Sequence, residues 1–238
     1  MTRFITILTI IVSTIDATAL HTVLTEKIPL DQNHTGTLSL QMGNKTYLAD
    51  QPARILIDYE NNSTKKQFLF TDTATKFPIY YFDKMSVHST KDALVDLTNQ
   101  INLFDSNNDK KNEIFVYGSS YYGINGYVGK VVILTQDQNS TIKPMGLITT
   151  FNLAKIYYIK RENIIVVAQA LWGSKTEESS KHKHHYQIDV YEMAHGLKKI
   201  PLFMTQKSYS DQHGFIIKDV IERIITQYNL KRKDKKNG

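Results

Sequence analysis

Short runs of branched and aromatic residues, each closed off by Asn, Gly, Ser or Lys, constrain this chain more than any other feature. Ile114-Phe115-Val116-Tyr117, Lys130-Val131-Val132-Ile133-Leu134, Ile156-Tyr157-Tyr158-Ile159, Ile164-Ile165-Val166-Val167-Ala168 and Tyr186-Gln187-Ile188-Asp189-Val190-Tyr191 follow one another through the second half. Runs this short do not make helices, and branched or ring side chains suit a pleated surface, so each reads as a strand. Upstream, the turn-rich 27–36 stretch with Pro29, Asp31, Asn33 and Gly36 leads into the alternating Thr37-Leu38-Ser39-Leu40-Gln41-Met42 and the turn Gly43-Asn44, a hairpin pattern. Arg54-Ile55-Leu56-Ile57-Asp58-Tyr59 and Gln67-Phe68-Leu69-Phe70 flank the polar 61–66 stretch and predict a second hairpin with a longer loop, after which Pro78 opens a third strand over 79–82.

Two segments depart from this period. In 89–104, Ser89 or Thr90 caps a short helix through Asp92, Leu94, Val95 and Leu97, or the segment forms an irregular strand; the spacing admits both. In 214–228, Ile217, Val220, Ile221, Ile224, Ile225 and Tyr228 recur at intervals of three and four, which predicts a C-terminal amphipathic helix packed on the sheet. The fold expected is mainly β, with propeller-like or partial-propeller antiparallel sheets and this helix at the end. Its length of 238 residues suits one β domain. The division expected is a signal peptide over 1–19, one domain over 20–230 and a disordered basic tail over 231–238.

The N-terminal reading rests on Thr2 and Arg3 ahead of the apolar 4–12 run, with Ala17-Thr18-Ala19 as a small-residue cleavage site. Cleavage after Ala19 would send the chain to the periplasm or medium with no transmembrane segment, since no later run approaches the roughly 20 apolar residues needed to span a bilayer. There is no cysteine, so disulfides, thiol nucleophiles and thiolate metal sites are excluded. The net charge is +6, but 231–236 alone carry +4. The rest is mildly basic, which argues against nucleic acid and toward a protein or glycan ligand.

One stretch carries a chemical pattern: Asp105-Ser106-Asn107-Asn108-Asp109-Lys110-Lys111-Asn112-Glu113. Asp105, Asn107, Asp109 and Glu113 stand at positions 1, 3, 5 and 9, and the main-chain carbonyl of Lys111 falls between the last two. A hard cation such as Ca2+ takes six to eight oxygens, and alternating side chains of a tight loop supply several of them. An EF-hand would need Gly at position six and Glu at position twelve, where this chain has Lys110 and Val116. An acidic loop running straight into Ile114-Phe115-Val116-Tyr117-Gly118 instead resembles the FG-GAP or VCBS repeat of integrin-like β-propellers. That resemblance implies a blade-type sheet with calcium at Asp105, Asn107, Asp109, Lys111 and Glu113. Lys110 and Glu113 depart from the Gly and Asp usual in the family at the sixth and ninth positions. Strand-like runs recur from Arg54, Glu113 and Glu162, at intervals of 59 and 49. Three blades fall short of the four or more of a closed propeller. A partial propeller, a compact β fold with one blade-like loop, and assembly with another chain all satisfy the pattern.

A second cluster, His182, His184 and His185 after Glu177 and Glu178, has imidazoles at i and i+2 that could ligate a transition metal from one strand face. It supports the alternative of an exported metal-dependent or acid/base hydrolase. The Tyr121-Tyr122-Gly123-Ile124-Asn125-Gly126-Tyr127 segment is a candidate ligand loop. Nucleophile-elbow, zinc-protease and phosphate-loop motifs do not occur, so no catalytic residue is assigned. The leading expectation is an exported, non-enzymatic binding or envelope-associated β protein with one structural calcium loop.

Overall fold

The computed structural model describes residues 20–43, 51–61, 63–82, 86–90, 92–98, 100–121, 127–151, 154–171, 183–193, 196–210 and 215–234. The chain begins with four strands, β1 (His21–Pro29), β2 (Thr35–Met42), β3 (Arg54–Asn61) and β4 (Thr64–Thr71), which form an antiparallel meander in the order β1-β2-β3-β4. Three short strands follow, β5 (Val87–Ser89), β6 (Leu94–Asp96) and β7 (Ile101–Phe104), and then β8 (Glu113–Tyr121), β9 (Tyr127–Gln136) and β10 (Ile142–Phe151). The second sheet is ordered β10-β9-β8-β7-β5, with β5 parallel to β7. The third sheet contains β11 (Lys155–Ile159), β12 (Ile164–Leu171), β13 (Lys183–Met193) and β14 (Leu197–Met204), with β6 paired antiparallel to β11. A two-stranded extension, β15 (Tyr209–Ser210), pairs with the start of β13, and α1 (Ile221–Asp234) ends the described chain.

These layers are stacked by alternation of side chains along the strands. In β8, Ile114 and Val116 face the first sheet and join Leu38, Leu40, Ile55 and Ile57 in one core. Phe115, between them, faces the third sheet and meets Tyr158, Ile165 and Val167 in another. The far face of the third sheet, with Val166, Ile188 and Val190, is covered by Phe215, Ile217, Ile224, Ile225 and Tyr228 of the helical segment. At the other end, the outer face of the first sheet presents Asp58, Glu60 and Lys65 to solvent; the cross-strand pair Leu56 and Leu69 is its apolar exception. The stack is thus finished by a polar face on one side and a helix on the other.

The mainly-β architecture with a C-terminal helix is what the residue pattern predicts, but the sheets do not close into a propeller or barrel. Of the two readings open for 89–104, the described residues take the strand: β5 and β7 lie in the second sheet and β6 in the third, so the chain stitches the two together. Other details differ. The second hairpin has a tight turn, since Asn61 pairs with Thr64 and Lys65 and Lys66 belong to β4; Ser63 takes a left-handed φ of 60°. Residues 79–82 make no full strand. They cross β8 with a single bridge, Tyr81 to Ser119, and Gly118 permits this because a Cβ there would lie 2.6 Å from Ile79 Cγ2. The helix starts at Ile221, after a 3-10 turn over Ile217–Asp219, and runs to Asp234 rather than stopping at Tyr228. Lys231, Arg232 and Lys233 thereby form its last turn, where cations suit the negative end of the helix dipole.

One buried ion pair joins the first two layers. Lys130 of β9 points the same way as Val132 and Leu134, into the core shared with the first sheet, and its fully buried ammonium lies 2.5 Å from Asp72 Oδ2, just beyond β4. Thr75 Oγ1 accepts a second hydrogen bond from it. Removing one member of such a pair strands a charge without water. Asp72→Ala is expected to lower unfolding free energy by about 3–5 kcal/mol in urea titrations, and Lys130→Met combined with Asp72→Leu to recover most of that loss.

Candidate cation loop

The connection from β7 to β8 is built on aromatic stacking. Phe104 lies 4.4 Å from Phe115 and 4.5 Å from Tyr158, centroid to centroid, and the Tyr158 hydroxyl reaches the main-chain oxygen of Ser106 at 3.4 Å and Asn163 Oδ1 at 3.3 Å. The loop is therefore seated on the third sheet at the β11–β12 turn. The first sheet holds its other side, where Asn112 N donates to Leu30 O at 2.8 Å and Asn112 Nδ2 to Pro29 O at 2.9 Å; Lys111 Nζ donates to Asp137 O in the β9–β10 turn at 2.5 Å.

Within this frame the loop coils on its own acidic side chains. Asp105 accepts from the main-chain N–H groups of Asp109 at 3.2 Å and Lys110 at 2.9 Å. Asn107 Oδ1 accepts from Asp109 N at 3.0 Å, and Asp109 Oδ1 from Lys111 N at 2.9 Å. Asn108 and Lys110 take left-handed φ values of 61° and 69°, so the sixth position has the conformation that glycine adopts most readily, although lysine occupies it. Glu113 closes the loop from the first position of β8. Its Oε2 accepts from Ser106 N at 2.8 Å, while Oε1 is 3.4 Å from Asn107 Nδ2 and 3.3 Å from Thr135 Oγ1.

Asp105, Asn107, Asp109 and Glu113 are thus brought together, with Asn107 Nδ2 reaching both Asp109 Oδ2 at 3.2 Å and Glu113. Among the described residues, no Lys, Arg or His lies within ion-pair distance of the three carboxylates. Nor does any group of three or more His, Cys, Asp or Glu among the described residues form a ready-made metal cage. Calcium would draw instead on the lone pairs these oxygens keep after accepting one N–H each, together with the Asn107 amide oxygen and the Lys111 carbonyl.

The histidine segment is elsewhere. His182 and the 172–181 stretch lie outside the described residues, as do 122–126 of the tyrosine-rich segment. His184 and His185 are buried in β13 on opposite faces, with His185 Nδ1 2.7 Å from Thr205 O. His185 pairs with Leu171 at the end of β12, whereas the Tyr158 hydroxyl that reaches the acidic loop also reaches Asn163, just before the start of β12. Asn163 and Leu171 are eight positions apart, about 26 Å at the usual rise. Among the described residues, His184 and His185 therefore share no surface with the acidic loop. The repeat also needs correction: β8 and β12 are each the second strand of their meander, while β3 is the third of its own. The 113-to-162 interval therefore links equivalent strands and the 54-to-113 interval does not.

A shallow polar cleft of about 690 Å³ adjoins the loop, lined by Asp109, Lys111, Gln136, Asp137, Gln138, Asn139 and Lys143. Sequence spacing gave no sign of it, because the β9–β10 turn that forms its far wall is remote in the chain. No protein-family profile matches the chain, and neither a curated protein nor a solved structure matches it.

Burial raises the pKa of Glu113 above its ordinary 4.5; hydrogen bonds from Ser106 oppose the shift and the negative charges of Asp109 and Asp105 add to it. The folded chain therefore holds this proton more tightly than the unfolded chain. Its contribution to stability is present below pH 4.5 and is lost as pH rises through the folded pKa. In chelator, urea unfolding across this interval is expected to show stability decreasing with rising pH, and Glu113→Gln to flatten that dependence.

Proposed function

We propose that this chain is an exported, non-enzymatic β protein, a binding or envelope-associated module with blade-type sheets of the FG-GAP or VCBS kind, whose 105–113 loop takes a structural calcium ion. The observation that carries the reading is the convergence of Asp105, Asn107, Asp109 and Glu113 where three sheets' worth of contacts meet, with Glu113 1% exposed. Three carboxylates this close repel one another, and a divalent cation would relieve that repulsion while tying β7 to β8. Four-stranded meanders stacked face to face support the blade comparison. The export reading is supported by the start of β1 at His21, since cleavage after Ala19 would leave every strand of the first sheet whole.

Calcium at about a hundred times its Kd would add roughly 2.7 kcal/mol, a rise in Tm of about 5–10 °C for a chain of this size. The expected result is that this rise appears with calcium, disappears in chelator and is absent from the Asp105→Ala plus Asp109→Ala variant. An unchanged Tm in all three conditions would refute the cation reading. Intact mass of the protein recovered from the envelope or medium, expected to begin at Leu20, tests export separately.

A further inference from the structure

We infer that the C-terminal layer, formed by β14 and α1, is a docking face for an anionic lipid bilayer. Residues 196–238 carry ten Lys and Arg against four Asp and Glu, a surplus of six that equals the +6 of the entire chain. Residues 1–195 balance at nineteen of each. The folded chain gathers part of this excess onto one side. Arg223 lies over the Phe203 ring at 4.1 Å and Lys231 donates to the Pro201 carbonyl, so α1 runs beside edge strand β14. Lys198 lies two residues before Ile200, which packs in the core under the helix, and so projects toward the helix side of the sheet. Lys198, Lys218, Arg223, Arg232 and Lys233 are all exposed. Of the acids in this segment, Asp219 pairs with Lys207 of the same segment at 2.9 Å and Glu222 with Arg161 outside it at 3.2 Å.

The apolar residues decide which polyanion fits. Ile216 is 43% exposed just before the helix and Leu230 50% on α1. Arg223, Leu230 and Lys233 follow at intervals of seven and three, along one stripe of the helix surface. Cations interspersed with exposed Leu and Ile match a bilayer interface, where headgroup phosphates meet acyl chains. Among its described residues the face offers no exposed aromatic platform of the kind single-stranded nucleic acids use. The buried stripe of α1 stays on the protein's own sheet, so attachment would be peripheral and salt-sensitive. This inference rests on the charge distribution and not on the cation loop.

The test is co-sedimentation of the full chain, in chelator, with vesicles containing phosphatidylglycerol and with vesicles of phosphatidylcholine alone. Binding is expected only to the former and to weaken steeply with salt. Lys198→Gln, Arg232→Gln and Lys233→Gln together are expected to weaken it by about 100-fold, each exposed cation being worth roughly fivefold. Leu230→Ser should weaken it several-fold without changing the salt dependence. Lys65→Gln with Lys66→Gln, on the first sheet, should leave binding within about twofold, because those charges lie beyond the reach of screened electrostatics from this face. Equal Tm values would show that the variants fold, and Lys233→Arg should retain binding. No binding to anionic vesicles, equal binding to neutral ones, or equal loss in the first-sheet variant would overturn the inference. Binding to duplex DNA as tight as to vesicles, with Leu230→Ser silent, would also overturn it in favour of a general polyanion site. Because chelator is present throughout, a failure here leaves the calcium reading untouched, and the reverse.

Discussion

Burial of the second sheet on both faces is the constraint on which the rest depends. β8 and β9 must be apolar at successive positions, as in Ile114-Phe115-Val116 and Val131-Val132-Ile133-Leu134, because odd and even residues enter different cores. A sheet with two apolar faces needs a partner on each, and the first and third sheets supply them. Lys130 is the exception that specifies orientation. A buried ammonium cannot be accommodated by sliding one sheet over the other; it requires Asp72 at one place.

The same burial places the acidic loop. It springs from the edge of the middle layer, touches the first sheet through Asn112 and the third through Tyr158, and so reports on how both neighbours are seated. A cation held there would act on three layers at once. The helix face with its excess of Lys and Arg belongs to the outermost layer instead, so the two proposed sites are carried by different layers and need not interfere.

Much of this was legible in the residues. The buried strands β8, β9, β11, β12 and β13 announce themselves because two-sided burial demands uninterrupted branched and aromatic runs. The edge strands do not. β10 contains Pro144 and Gly146 at a bulge, and β14 contains Pro201; proline is tolerated where one side of the ladder lacks a partner, and its presence hides the strand. β1 was masked by exposure, with Ile28 its main inward residue. The acidic loop was legible as spacing, but the aromatic seat beneath it depends on Tyr158, fifty-two positions from Ser106. No local pattern encodes that contact. Of the histidine cluster, His184 and His185 are buried on opposite faces of β13, while His182, the i and i+2 partner of His184, lies outside the described residues.

The stitching of β5, β6 and β7 across two sheets also sets an order of assembly. During synthesis from the N-terminus, the first sheet can form from its own hairpins. β6 cannot, because Asp96 must wait for Tyr157. Until then the middle layer has one bare apolar face and a strand hanging from its edge. The last two layers therefore have to condense together, late and from distant parts of the chain. A chain released with its final third unfinished would expose the face that normally receives Tyr158 and Ile165, making the half-built molecule far more adhesive to itself than the completed one.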